Sequence, residues 1–240
     1  MTKLTASALA NTQRTVRSYE GFARQYDMLV NARRPPHIED ALRRLVQCLP
    51  FSGSVLEIGS GTGRDADFIE SLGAVVRRTD ATQAFLDLMA ERGKKADLLN
   101  VMTDELDGGP YDGVLAMGVL IHVDREQVGP VLRKIHAVLK PGGAFLVAMR
   151  KGEGETSGEY HTVQWTGERF APLLQTKLLR DPQNTSEDVF QRRRGERQLP
   201  RRMPATTLHI SGRNGTHFAM RLSDQQIGTQ LLNQFSVNVI

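Results

Sequence analysis

The run Val55-Leu56-Glu57-Ile58-Gly59-Ser60-Gly61-Thr62-Gly63-Arg64-Asp65 constrains this chain more than any other stretch. A short apolar segment ends in three alternating glycines, and a helical pattern starts directly after them. Glycine lacks a Cβ, so it can take positive φ and let a ligand lie against the backbone. Free N–H groups at the start of the following helix favour a carboxylate or phosphate. The turn reads either as a ligand cradle or as a tight strand–helix connection. Asp80 sharpens the first reading, because it ends the next apolar segment. A carboxylate there can accept hydrogen bonds from both hydroxyls of a ribose. Its other role would be to cap the helix from Ala81 onward, but Thr82 can serve that cap instead.

The same alternation continues along the chain. The pattern predicts strands over 54–58, 75–79, 95–101, 111–117 and 144–149. It predicts helices over 20–29, 37–49, 65–72, 84–92, 126–139 and 165–174, with Thr166 as the cap of the last. Pro35-Pro36 breaks the first helix, and Pro141-Gly142-Gly143 stops the long one. Strands and helices in this order imply parallel βαβ units with right-handed crossovers. The expected fold class is α/β, a Rossmann-like doubly wound, mostly parallel sheet with an atypical C-terminal extension. Ligands of such sheets bind outside the carboxyl ends of the strands, at the switch in strand order. The glycine loop, Asp80, Asn100 and residues 117–122 all fall at those ends.

Composition narrows the setting. The chain has 240 residues, enough for one sizeable core with a small appendage. Its one cysteine, Cys48, excludes an internal disulfide framework and sits in a helical apolar pattern, where it reads as a buried helix residue. Residues 1–18 are polar and lack a secretory apolar segment, and no apolar run is long enough to span a membrane. The expectation is a soluble, cytoplasmic protein. Residues 1–179 hold 22 basic and 22 acidic side chains, whereas 180–240 hold 9 arginines and 5 acids. The basic excess therefore lies in the last quarter, and the α/β part offers no electrostatic reason to bind nucleic acid.

Nicotinamide and S-adenosylmethionine enzymes both use a glycine turn of this kind, and Gly61-x-Gly63-x-x-Ala66 fits a dinucleotide fingerprint. Three features weigh against a nicotinamide oxidoreductase. The glycines begin at Gly59 with Glu57 two residues before, about fifty residues precede the first strand, and the Leu139-Lys140-Pro141-Gly142-Gly143 turn has no role in dinucleotide binding. The five pieces in order resemble the class I S-adenosylmethionine-dependent methyltransferases of the small-molecule type. They are the glycine run, Thr79-Asp80-Ala81-Thr82, Pro110-Tyr111-Asp112-Gly113-Val114, Val119-Leu120-Ile121-His122-Val123 and Leu139 to Gly143. The resemblance spans roughly residues 19–179.

The resemblance implies roles at matching positions. Glu57, Gly59, Ser60, Gly61, Thr62, Gly63, Arg64 and Asp65 would surround the methionine half of S-adenosyl-L-methionine. Asp80 would bind its ribose and Ala81 would line the adenine. Asn100 stands where the family usually has an acid for the adenine amino group, and an amide oxygen can accept that bond. The Val101 backbone would meet the adenine ring. Met117 and Gly118 would lie beneath the sulfonium and adenine. Tyr19 and Tyr26 resemble the helix that closes over the cofactor, or are ordinary core aromatics.

Methyl transfer needs alignment and dryness more than a fixed catalytic group. His122 is the best candidate for a general base, against a structural histidine that packs the loop. His161 reads as a surface histidine rather than a substrate contact, and no metal ligands are expected. The loop from Arg150 to Glu155 reads as mobile or as a solvated connection. The partner expected is a small-molecule methyl acceptor, with no membrane. Division falls into a methyltransferase domain over 1–180, whose first 50 residues form a helical cap, and a basic linker with a small extension over 181–240. In that extension 178–180 gives a faint sixth strand, 191–202 is a basic run, Arg213-Asn214-Gly215 signals a hairpin that can replace missing edge strands, and 223–235 suggests a helix. The basic run leaves a methyltransferase acting on RNA as an alternative, less favoured because no aromatics are interleaved for base stacking. A non-catalytic cofactor-binding protein of the same fold is another.

Overall fold

The computed structural model describes residues 4–31, 34–178, 208–212 and 215–221. Two helices, α1 (Ala6–Asn31) and α2 (Pro36–Gln47), precede the first strand. Then come β1 (Ser54–Ile58), α3 (Arg64–Ser71), β2 (Val75–Asp80), α4 (Gln83–Glu91), β3 (Asp97–Leu98) and β4 (Tyr111–Met117). A 3-10 turn at Leu120–His122 leads into α5 (Arg125–Val138) and β5 (Leu139–Ala148). A small hairpin of β6 (Glu155–Ser157) and β7 (His161–Val163) precedes α6 (Gly167–Leu178), and β8 (Leu208–Gly212) and β9 (Gly215–Arg221) follow.

The main sheet runs β3-β2-β1-β4-β5-β9-β8, with the first five parallel and the last two antiparallel. Side chains alternate across a strand, and the burial follows. Leu56, Val114, Ala116, Phe145 and Val147 enter one core with α5 and α6. Val55, Leu115 and Leu146 enter another with α2 and α3. Both faces are covered, as a doubly wound parallel sheet requires. Strand order reverses between β1 and β4, so the crevice opens where the glycine loop and the Met117–Val119 segment meet. The β8–β9 hairpin pairs along β5, from Ala144 opposite Arg221 to Ala148 opposite His217.

Several expectations change. The first helix is not the short 20–29 segment but a 26-residue rod. Thr5 starts it by accepting the Ala8 N–H on its hydroxyl at 3.1 Å. The long helix ends at Val138, one residue before its expected end and just ahead of Pro141-Gly142-Gly143. Leu139 is already extended, at φ −87° and ψ 141°, and the three residues lie within β5. The third strand shrinks to two residues on the sheet edge. Leu178 ends α6 rather than opening a sixth strand, while the rest of that predicted strand, the basic run 191–202 and the predicted helix 223–235 lie outside the described residues. Cys48 is half-buried at the C-terminal end of α2. Thr166 caps α6, accepting the Arg169 N–H at 3.3 Å. Among the described residues no helix is long and apolar enough to cross a membrane.

Candidate functional site

A cavity opens at the strand-order switch, beneath α1. From the predicted set, Tyr19, Tyr26, Gly59, Gly61, Asp80, Ala81, Asn100, Val101, Met117, Gly118 and His122 line it. Glu57, Ser60, Thr62, Gly63, Arg64 and Asp65 do not. Arg64 and Asp65 are instead tied to the end of α1. Arg34 donates to Asp65 at 3.1 Å and to the Arg64 carbonyl at 2.6 Å, and Arg64 donates to the Val30 carbonyl at 2.5 Å. Glu57 and Ser60 sit below the loop, where the Ser60 hydroxyl bonds the carboxyl and the Thr79 N–H donates to Ser60 Oγ at 3.2 Å.

The loop is locked before any ligand arrives. Ser60 N–H donates to the Thr79 carbonyl at 2.8 Å, and Gly61 N–H donates to Asp80 Oδ2 at 2.8 Å. Gly59 takes φ +68°, and a Cβ on it would stand 2.4 Å from Val119 Cγ2. The glycine is therefore required by both its backbone and its neighbour. Asp80 also accepts the Thr82 N–H, on Oδ1 at 2.9 Å. The Thr82 hydroxyl and the Ala81 N–H also bond this carboxylate, so a ligand would share its oxygens with the residues of its own turn. Burial raises the Asp80 pKa, and its hydrogen bonds from Gly61 and Thr82 oppose this. Thr82 was expected to cap α4, but its side chain makes no capping bond to the helix. Glu20 of α1 does that work, accepting the Gln83 and Ala84 N–H groups at 2.6 and 2.9 Å.

Sequence reasoning missed Thr12, Thr15, Val16, Phe85, Leu99, Met102, Val119 and Val123, which also line the cavity. The first three stand on the part of α1 that carried no apolar pattern. Thr12 meets Asn100, whose Nδ2 donates to the threonine hydroxyl at 3.1 Å. Asn100 Oδ1 accepts the Met102 N–H at 3.0 Å, so the amide that was expected to face a ligand also holds its own loop.

His122 lies between two partners. Its Nδ1 is 2.7 Å from the His161 carbonyl, and its Nε2 is 3.2 Å from the Tyr19 hydroxyl. A carbonyl only accepts, so Nδ1 carries the proton and donates it. Nε2 is then the lone-pair nitrogen, and Tyr19 O–H donates to it. Burial, more than the nearby Arg150 and His161, lowers the His122 pKa to about 4. Burial likewise raises the Tyr19 hydroxyl well above its ordinary value. The ring is neutral across the physiological range and turns its free nitrogen towards the tyrosine.

The β6–β7 hairpin helps roof this end. Ser18 donates to the Glu159 carbonyl at 2.6 Å, His161 N–H donates to Thr15 Oγ1 at 3.1 Å, and the Tyr19 and Tyr160 rings lie 4.8 Å apart. His161 is not at the surface as expected but 1% exposed. The Arg150–Glu155 stretch is solvent-exposed, as one of its two readings expected, yet its backbone is tied down: Trp165 N–H donates to Arg150 O, Gly152 N–H to Trp165 O, and Gln164 N–H to Gly154 O.

Comparison with known proteins agrees with the fold. Residues 55–143 match the family model described as a methyltransferase domain. No curated protein matches the chain by sequence. A solved 1,6-didemethyltoxoflavin-N1-methyltransferase from Burkholderia thailandensis, with bound 1,6-didemethyltoxoflavin and S-adenosylhomocysteine, is similar at 19% identity. The match covers 93% of this chain and 94% of that one, with a TM-score of 0.65. The CcbJ methyltransferase from Streptomyces caelestis is 25% identical over 60% of this chain and 63% of its own, with a TM-score of 0.50. A TehB-like S-adenosylmethionine-dependent methyltransferase from Corynebacterium glutamicum is 20% identical over 65% and 80%, with a TM-score of 0.50.

Proposed function

We propose that this chain, whose residues 55–143 match a methyltransferase-domain model, is a class I methyltransferase that moves a methyl group from S-adenosyl-L-methionine to an oxygen, nitrogen or carbon nucleophile of a small molecule. The observation that carries the reading is the joining of Asp80 to Gly61 at the mouth of the strand-order switch. The lining suits such a cofactor. Asp80 presents a carboxylate to the cavity, Gly59 and Gly61 bring side-chain-free backbone to its wall, and Phe85, Leu99, Val101 and Met102 supply apolar walls. S-adenosylmethionine supplies a methyl carbon on positively charged sulfur, already activated for in-line attack. The Burkholderia protein of like fold was solved with S-adenosylhomocysteine and 1,6-didemethyltoxoflavin bound, which supports a small acceptor here.

The chain's own residues then have defined tasks. Asp80 and Asn100 hold the adenosyl half. Tyr19 and Tyr26, packed edge to face at 5.8 Å, exclude water. His122 presents Nε2 beside Tyr19 and takes a proton only as the new bond forms, because a base lowered to about pH 4 is weak. His122→Asn should lower kcat about a hundredfold while S-adenosylhomocysteine affinity stays within a few-fold. The wild-type rate should not fall between pH 8 and 6 through this group, since it remains neutral until the pH nears 4. An unchanged kcat in the variant would remove His122 from the reaction. The reading as a whole is tested by supplying methyl-labelled S-adenosylmethionine with either a low-molecular-weight metabolite fraction or total RNA. Label should enter the former; transfer to RNA alone would replace the small-molecule reading.

A further inference from the structure

Outside the cavity, three ligand-type atoms converge where the β6–β7 hairpin meets the start of α5. His161 Nε2 lies 2.9 Å from Asp124 Oδ1 and 3.0 Å from Glu155 Oε1. Neither contact has hydrogen-bond geometry, so Nε2 is a buried polar atom with no hydrogen-bond partner, on a side chain that is 1% exposed. Asp124 Oδ2 is buried without a partner as well. The three donor atoms lie within 4.8 Å of one another.

We propose that Asp124, Glu155 and His161 bind a first-row divalent cation of the Zn2+ or Mn2+ type. Separations of 2.9 and 3.0 Å suit adjacent ligands around a six-coordinate ion, since bonds of about 2.1 Å at right angles place ligand atoms ~3.0 Å apart, against roughly 3.4 Å at the tetrahedral angle of many Zn2+ sites. One imidazole with two carboxylates favours such ions over Mg2+ or Ca2+, which take oxygen ligands. The outer partners fit the role. Ser157 Oγ lies 3.2 Å from His161 Nδ1, which fixes the ring with Nε2 free to ligate. Asn11 Nδ2 orients Asp124 by donating to Oδ1 at 2.8 Å. Two carboxylates meet here, and the one cation near them among the described residues is Arg125, 3.9 Å from Glu155 Oε2. A dication supplies the missing charge, and the partly exposed Glu155 leaves a side open for water to complete the coordination. The ion would clamp the hairpin to α5. Through the His161 backbone, which bonds both Thr15 and His122, it would stiffen the frame of the cavity without touching the reacting atoms.

Chelator-dialysed full-length protein should be titrated with ZnCl2 and, separately, MnCl2 by calorimetry, with thermal unfolding measured alongside. The expected result is one ion per chain and a raised Tm, since a ligand of the native state stabilises it. Glu155→Gln and Asp124→Asn should each weaken binding at least about tenfold, and the distant His136→Asn should not. Glu155→Gln is on the rim, so its metal-free Tm should match the metal-free parent and separate lost binding from lost folding. No ion taken up by the dialysed parent, or uptake that survives both carboxylate variants, would overturn the proposal and leave a shared proton at this point. None of these readouts depends on what fills the cavity.

Discussion

Glu57→Gln should raise the melting temperature at pH 8 and change it little at pH 5. Glu57 is 2% exposed and its Oε2 has no hydrogen-bond partner. Burial is the main cause that lifts its pKa from 4.5 to about 8; Asp65 and Asp80 add to the rise, while Ser60 and Arg78 oppose it. Between those two values the folded protein holds a proton that the unfolded chain has released. The stabilisation from this group is therefore full below about pH 4.5, falls as pH rises and is gone above about pH 8. Glutamine mimics the protonated form and does not titrate. Each pKa unit is worth about 1.4 kcal/mol, so half of the displacement still gives about 2 kcal/mol. For a chain of this length that is roughly 5 °C in Tm. Thermal unfolding of both proteins at several pH values checks it, and parallel pH profiles would contradict it.

The second large effect is expected at Gly59. Gly59→Ala should destabilise the protein by about 2–4 kcal/mol, combining the left-handed backbone penalty with a clash. The added methyl group would stand 2.4 Å from Val119 Cγ2, which belongs to the loop after β4. Gly73 supplies the control. It also has positive φ, at +98°, yet a Cβ there meets nothing within 4 Å. Gly73→Ala should therefore cost only the backbone part. Val119→Ala removes the clashing atom and should recover part of the Gly59→Ala loss in a double-mutant cycle. Equal losses at the two glycines in denaturant unfolding would show that the loop is not packed against Val119.

Much of this was legible in the residues themselves. The strands over 54–58 and 111–117 and the glycine turn are short apolar runs with clear punctuation, and local pattern is enough for them. The first half of α1 was not legible, for a physical reason. Its buried face is Ala8, Asn11, Thr12 and Thr15, small or polar residues that give no apolar periodicity. They are buried because their partners are polar: Asn11 meets Asp124, Thr12 meets Asn100 and Thr15 meets His161. The same long-range pairing hid the burial of His161, whose neighbours Asp124 and Glu155 are distant or unremarkable in sequence. The long helix ends at Val138 just ahead of Pro141-Gly142-Gly143, and these three residues bulge against β4 at the start of β5, with Gly142 at φ +77°. The loop residues Arg64 and Asp65 follow the glycines closely, yet an arginine pairing with the end of α1 draws them away from the cavity.

The most direct measurement is calorimetric titration of S-adenosylhomocysteine into the parent protein and into Asp80→Ala. If the carboxylate at the end of β2 grips the sugar beside the glycine turn, the parent binds and the variant binds at least about tenfold more weakly, as expected for losing hydrogen bonds to a charged group. Equal affinity in the two proteins, or preference of the parent for NADH, would contradict the account.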